Sequence, residues 1–287
     1  MKRFIFLLVL LTGVLSSCSG ETEKPVLKIG GIPDQEISRL ELRFNTMAEH
    51  LSEELDMEVE YIPSVDYAAL VTAFQRGDIQ LAWFGALTGV QARLSAPGSL
   101  AIAQRPRDEK FHSVYVIGKD VSASELSDLK GLRFTFGSES STSGHLFPRF
   151  FLTEAGVDVE NDFDGPPSYS GSHDKTWKLV ESGSFQAGAL SESVWERANK
   201  EGSVDLEKVR KLSTTPSYFN YHWVLRSGVD SEFGSGFTEE LTQALLGISK
   251  ENDQDLLDLF QADSFIATSN SNYDPIETVA RELNLVE

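Results

Sequence analysis

The chain has 287 residues, 40% of them hydrophobic and 24% charged, which is the balance of a globular protein with a sizeable core. Its formal charge of −19 excludes nucleic acid and anionic lipid surfaces as partners. Any anion site must therefore work through short-range hydrogen bonds in a sheltered cleft, which screening over about 8–10 Å permits.

Met1-Lys2-Arg3 precedes the apolar run Phe4 to Val14, too short to span a bilayer comfortably, so this segment reads as an export signal. Leu15-Ser16-Ser17-Cys18 then carries the small-residue pattern that bacterial lipoprotein processing cuts before the cysteine, and Cys18 is the only cysteine in the chain. Residues 1–17 are expected to be a lipoprotein signal peptide, and residues 18–25 a lipid anchor and polar tether. The alternative is an ordinary secretory signal beside a stray thiol. The expected location is the periplasmic or cell-surface side of a bacterial membrane.

From Val26 the pattern is α/β, with short β-rich runs alternating with helical segments. Val26 to Gly30 reads as a strand, Ile37 to Leu55 as an amphipathic helix and Glu58 to Ile62 as a second strand. Asp66-Tyr67-Ala68-Ala69-Leu70 opens a helix that stops near Gly77, and Ile79 to Phe84 is a nearly continuous apolar strand, as in a parallel sheet covered on both faces. Leu132 to Phe136 and Phe185 to Leu190 repeat the strand-then-helix logic as a second unit. Ser113 to Ile117 and Tyr221 to Leu225 are placed where the chain could cross between the units and return, after which only helices are expected: Phe237 to Leu246, Asn252 to Phe260 and Pro275 to Leu283. A single doubly wound domain is the competing architecture.

Two of these junctions have the chemistry of an anion site. Ser141-Thr142-Ser143-Gly144 follows a strand and precedes the apolar helix Leu146 to Leu152, so hydroxyls and unpaired N–H groups gather at the positive end of a helix. A serine cap without a ligand reads the same way. His173 opens the helix Asp174 to Glu181, where its ring can donate to an oxygen or cap the helix; Asp174 beside it would repel an anion.

Asp66 to Ala69, Trp83-Phe84-Gly85-Ala86-Leu87-Thr88, Gly137 to Gly144 and Ser170-Gly171-Ser172-His173-Asp174, in that order from about Val26 to the C-terminus, resemble the phosphate/phosphite/phosphonate-type substrate-binding proteins of ABC importers. Within that family the chain is most similar to a subgroup labelled as selenate binders. The resemblance implies a type II periplasmic binding protein of two doubly wound lobes joined by crossing strands, with residues 26–116 and 224–287 in lobe 1 and 117–223 in lobe 2. It implies that Ser141, Thr142, Ser143 and His173 hold an oxyanion, that Tyr67 reaches it from the first lobe, and that the ligand passes to permease and ATPase subunits. A monomer without cofactor, metal or catalytic residues is expected.

The chain departs from the family pattern at Phe84, where tyrosine is common, so any contact at Phe84 and the adjoining Gly85 must come from the backbone or from a different group. Where aminophosphonate binders place carboxylates, this chain has Ser193 and the pair Tyr221-His222, so a plain oxyanion is expected over an amine-bearing ligand, with Tyr221 and His222 as further donors. Protonated phosphate needs an acceptor that selenate or sulfate does not, and Glu139 is the acceptor nearest in sequence. Three other readings stand beside import. A hydrolase would need Ser141, His173 and an aspartate as a triad, but no Gly-x-Ser-x-Gly elbow is present. Ferric-ion capture would use Tyr218, Tyr221 and His222, and a sensing lipoprotein would present the anion to a membrane receptor.

Overall fold

The computed structural model describes residues 25–286; the expected signal peptide, Cys18 and most of the tether lie outside the described residues. The first half of the chain builds β1 (Leu27–Gly31), α1 (Ile37–Leu55), β2 (Val59–Tyr61), α2 (Tyr67–Arg76), β3 (Leu81–Phe84), α3 (Ala86–Ser95) and β4 (Leu100–Gln104). It then builds β5 (Ser113–Gly118), β6 (Phe134–Phe136), a π-type turn over Thr142–Leu146, α4 (Phe147–Glu154), β7 (Ser168–Tyr169), α5 (His173–Glu181), β8 (Ala187–Ser191), α6 (Glu192–Lys200) and β9 (Val209–Thr214). The return passage carries β10 (His222–Leu225), α7 (Val229–Phe233), α8 (Phe237–Gly247), α9 (Gln254–Phe260), β11 (Ile266–Ala267) and α10 (Asp274–Glu282).

Two sheets result, ordered β11-β4-β10-β3-β1-β2 and β7-β6-β8-β5-β9. In each, three parallel strands are followed by one antiparallel strand from the other part of the chain: β10 beside β3, and β5 beside β8. The two strands expected to cross between lobes therefore do not cross. β5 pairs only within the second sheet and β10 only within the first, so the expected limits at 116/117 and 223/224 fall inside strands. The passage is made instead by residues 105–112 and 215–221, tied by mutual backbone bonds of 2.9 Å between Phe111 and Tyr218. The tail likewise is not all helical, since β11 pairs with β4 at the sheet edge.

Burial explains the layering. All four residues of β3 are buried, as a central strand covered on both faces requires. α1 turns Leu40, Phe44, Met47 and Leu51 onto the first sheet at helical spacing. A Cβ on Gly31 would lie 1.9 Å from the Phe44 ring, so β1 approaches its helix at a distance only glycine allows. In the second lobe the side chains of β5 alternate: Tyr115 and Ile117 enter one core with Phe134 and Phe136, while Val114 and Val116 enter the other with Trp177 and Trp195.

Candidate functional site

In open α/β sheets ligands sit outside the carboxyl ends of the parallel strands. Here those ends face each other across the two lobes. β1 leads to Asp34, β2 to Tyr67 at the start of α2, β3 to Gly85 at the start of α3, β6 to the Ser141–Ser143 turn, and β7 to His173 at the start of α5.

The serine-rich turn is shaped by close packing. A Cβ on Gly144 would lie 3.0 Å from the Cα of Gly137, so the loop after β6 folds tightly onto the turn. Ser141 caps the turn by accepting the Gly144 N–H at 2.9 Å, and its carbonyl accepts from both His145 and Leu146. The hydroxyl of Ser141 keeps its own proton to donate. Thr142 Oγ1 accepts the Leu87 N–H at 2.8 Å from the facing start of α3, and all three hydroxyl residues are buried. Gly85 permits this approach: a Cβ there would meet Thr142 Oγ1 at 3.2 Å.

His173 is held from both lobes. Its N–H donates to the Asp34 carbonyl at 3.0 Å, and its Nδ1 accepts the Ser191 N–H at 3.3 Å. The ring proton therefore sits on Nε2, which lies 3.4 Å from the Tyr221 hydroxyl and 3.5 Å from Ser143 Oγ. Burial lowers the pKa of this ring, against the pull of Asp34 and Asp174, so it stands as a neutral donor.

Tyr67 follows its cap Asp66, which accepts the Ala69 N–H at 2.7 Å. Among the described residues its buried hydroxyl has no hydrogen-bond partner in proper geometry; it faces Ser141 and is pushed well above the usual phenol pKa by burial and by nearby Asp34. Tyr221 donates to Asp34 Oδ2 at 2.8 Å while its ring stacks on Trp83 at 5.8 Å and under the Arg105 guanidinium at 5.0 Å. Asn220, just before it, accepts the Ala86 N–H on Oδ1 and leaves its buried Nδ2 without a partner among the described residues.

Of the residues expected in the site, Tyr67, Gly85, Ser141, Thr142, Ser143, His173 and Tyr221 come together. The ring of Phe84, from which no contact is expected, is buried edge-on against Phe74 in the core, and His222 does not join the others. His222 alternates to the opposite face of β10 from the neighbouring Tyr221; Arg93 donates to its Nε2 at 3.2 Å, its Nδ1 donates to the Asn220 carbonyl at 2.9 Å, and it stacks on Tyr273. Glu139 is exposed, and its carbonyl rather than its carboxylate is engaged, by His145. The acceptor within the cleft is Asp34, which the sequence reasoning missed; the signal available was its place just past the end of the first strand, in Gly30-Gly31-Ile32-Pro33-Asp34.

The residues named for the competing chemistries are engaged elsewhere. The Asp174 carboxylate accepts from the Glu36 N–H at 3.0 Å and from Arg197 at 3.3 Å, while the ring nitrogen of His173 that faces the serines carries a proton, so Ser141, His173 and Asp174 do not form a nucleophilic triad. Tyr218 bonds Ser113 at 2.6 Å, away from Tyr221's partner, and among the described residues no group of three or more His, Cys, Asp or Glu side chains could hold a metal.

The lobes are closed on one another. Besides the Leu87–Thr142 and His173–Asp34 bonds, the Glu36 N–H meets Asp174 across the cleft, and Lys178–Glu36, Arg39–Glu201 and Arg107–Glu196 pair at its rim. The rim pairs are solvent-exposed and contribute little each; the buried bonds carry the closure.

Comparison with known proteins gives a consistent picture. The chain is 43% identical over 294 residues to the probable ABC transporter phosphite-binding protein PhnD1 of Prochlorococcus marinus, covering 100% of this chain and 99% of that one. The structure of Prochlorococcus marinus PhnD1 in complex with methylphosphonate superposes with a TM-score of 0.88 at 44% identity, over 91% of this chain and 99% of that one. A binding-protein component of an ABC phosphonate transporter from Pseudomonas aeruginosa shares the fold at 19% identity, with a TM-score of 0.80 over 90% of this chain and 86% of that one. With residues 29–273 matching the model for ABC transporter, phosphonate, periplasmic substrate-binding proteins, the chain belongs to that family.

Proposed function

We propose that this chain captures a small phosphorus oxyanion, phosphite or a short alkylphosphonate, between its lobes and delivers it to a membrane permease driven by an ATPase subunit, while a lipid on Cys18 holds it at the membrane. The observation that carries this reading is that the buried Ser141–Ser143 turn is faced by two further donors, the Tyr67 hydroxyl beside Ser141 and the Nε2–H of His173, 3.5 Å from Ser143 Oγ. Donors from both lobes stabilise the closed form around an anion, and the chemistry needed is binding alone. The name and bound ligand of the Prochlorococcus marinus relative support the ligand class.

The test is a thermal-shift panel on the purified protein with phosphite, methylphosphonate, phosphate, sulfate, selenate and aminoethylphosphonate. A ligand present at about a hundredfold its Kd adds about 2.7 kcal/mol of stability, so the true substrate stands out. Phosphite or methylphosphonate is expected to give the largest shift. A larger one from selenate or aminoethylphosphonate would sink the assignment.

A further inference from the structure

A phosphonate or phosphite near neutral pH keeps a proton on one oxygen in much of its population, whereas sulfate and selenate are fully deprotonated and offer only acceptors. A site that adds one fixed acceptor to its donors can tell the two apart. Asp34 is such an acceptor. It is 2% exposed, and its Oδ2 takes the Tyr221 hydroxyl at 2.8 Å. That hydroxyl lies 3.4 Å from His173 Nε2, the same nitrogen that reaches Ser143. Oδ1 has only a 3.3 Å contact from the neighbouring Gln35 amide, so lone pairs of a carboxylate with about four acceptor directions remain.

Among the described residues Asp34 has no ion-pair partner within 4 Å. Arg43 donates to the Leu259 carbonyl, and Arg105 to Asp108 and the Phe260 carbonyl, so both cations act on it only from a distance. A buried carboxylate without a direct cation, beside an anion site, is costly for packing alone. Resting on the reading proposed above, we infer that Asp34 accepts a hydrogen bond from the protonated oxygen of a monoprotonated phosphorus oxyanion, and that its charge excludes sulfate and selenate.

The charged and titratable groups facing Asp34 are Tyr61, Tyr67, Tyr221, Arg43, Arg105 and His173. Burial raises the three phenols and lowers the imidazole, and the guanidiniums stay charged, so none of these changes state as pH rises through neutrality. The pH dependence of binding then belongs to the ligand's own proton.

Calorimetry of the purified protein with methylphosphonate, phosphite, sulfate and selenate, for wild type and Asp34→Asn, tests this. Asparagine keeps an oxygen for the Tyr221 hydroxyl but loses the charge. The variant is expected to bind methylphosphonate about 10- to 100-fold more weakly and selenate at least about 10-fold more tightly. In wild type, affinity for methylphosphonate is expected to fall between about pH 6 and about pH 9 as the ligand loses its proton. Equal changes for all anions in the variant, or a wild-type affinity that stays flat or rises over that range, would overturn the inference. So would tighter wild-type binding of aminoethylphosphonate than of methylphosphonate, which would make Asp34 the partner of an ammonium. If wild type binds no phosphorus oxyanion, the proposed function falls with it; if it does and the variant keeps the same selectivity, only the role of Asp34 falls.

Discussion

Replacing Ser141 and Thr142 together with alanine is expected to weaken binding of phosphite or methylphosphonate by at least about 100-fold, read by calorimetry. On the proposed function each hydroxyl would donate to a charged acceptor in a buried site, and such bonds contribute about 1.5–3 kcal/mol apiece. The two losses differ in kind. Ser141 also caps its turn through the Gly144 N–H, so its removal costs about 1 kcal/mol of stability besides the lost donor. Thr142 accepts the Leu87 N–H from the opposite lobe, so its removal leaves that amide unpaired on closure and should raise the dissociation rate. A melting curve of the unliganded variant separates a folding defect from a binding defect. Undiminished affinity in a folded double variant would mean that the anion is held elsewhere.

Acidification is expected to destabilise the protein between about pH 6.5 and about pH 4, and His145 supplies the best-defined part. Burial, with Arg149 nearby, pushes this imidazole down to about 4, although its bond to the Glu139 carbonyl works the other way. Above its unfolded pKa the ring is neutral in both states and its full contribution to stability is present. As pH falls, the unfolded chain takes up a proton that the folded one refuses, and about 3 kcal/mol is lost by the time the folded ring titrates. His173 and His222 are lowered by burial as well and act with the same sign. Denaturant unfolding across this range, compared between wild type and His145→Asn, isolates the term, because the asparagine amide can still donate to the Glu139 carbonyl while carrying no titratable group. An unchanged pH slope in the variant would show that the ring is not held neutral.

How far the site was readable depended on whether a residue acts through its own element. Ser141–Ser143 and His173 each open a helix after a strand, where donors gather locally, so both stretches are visible before any packing is known, while Tyr67 at the start of α2 comes from the family resemblance. Asp34 is not visible in this way, because it lies in an irregular segment and becomes an acceptor only through Tyr221, 187 positions away. The family resemblance points to His222 as a donor beside Tyr221, but strand alternation carries its side chain, like that of Phe84, to the face away from Tyr221 and Trp83. Glu139 was near in sequence to the turn and yet lies on the surface.

The amino-acid order by itself determined the α/β alternation, the buried central strands and the helix starts that bear hydroxyls, since period, apolar content and capping chemistry are local properties of the chain. Only the tertiary structure decided where the chain passes between sheets, which face each strand residue shows and which carboxylate enters the cleft. Those depend on pairing between β3 and β10, between β5 and β8, and on the meeting of two lobes at Gly85 and Thr142, contacts between distant segments that no window of sequence contains.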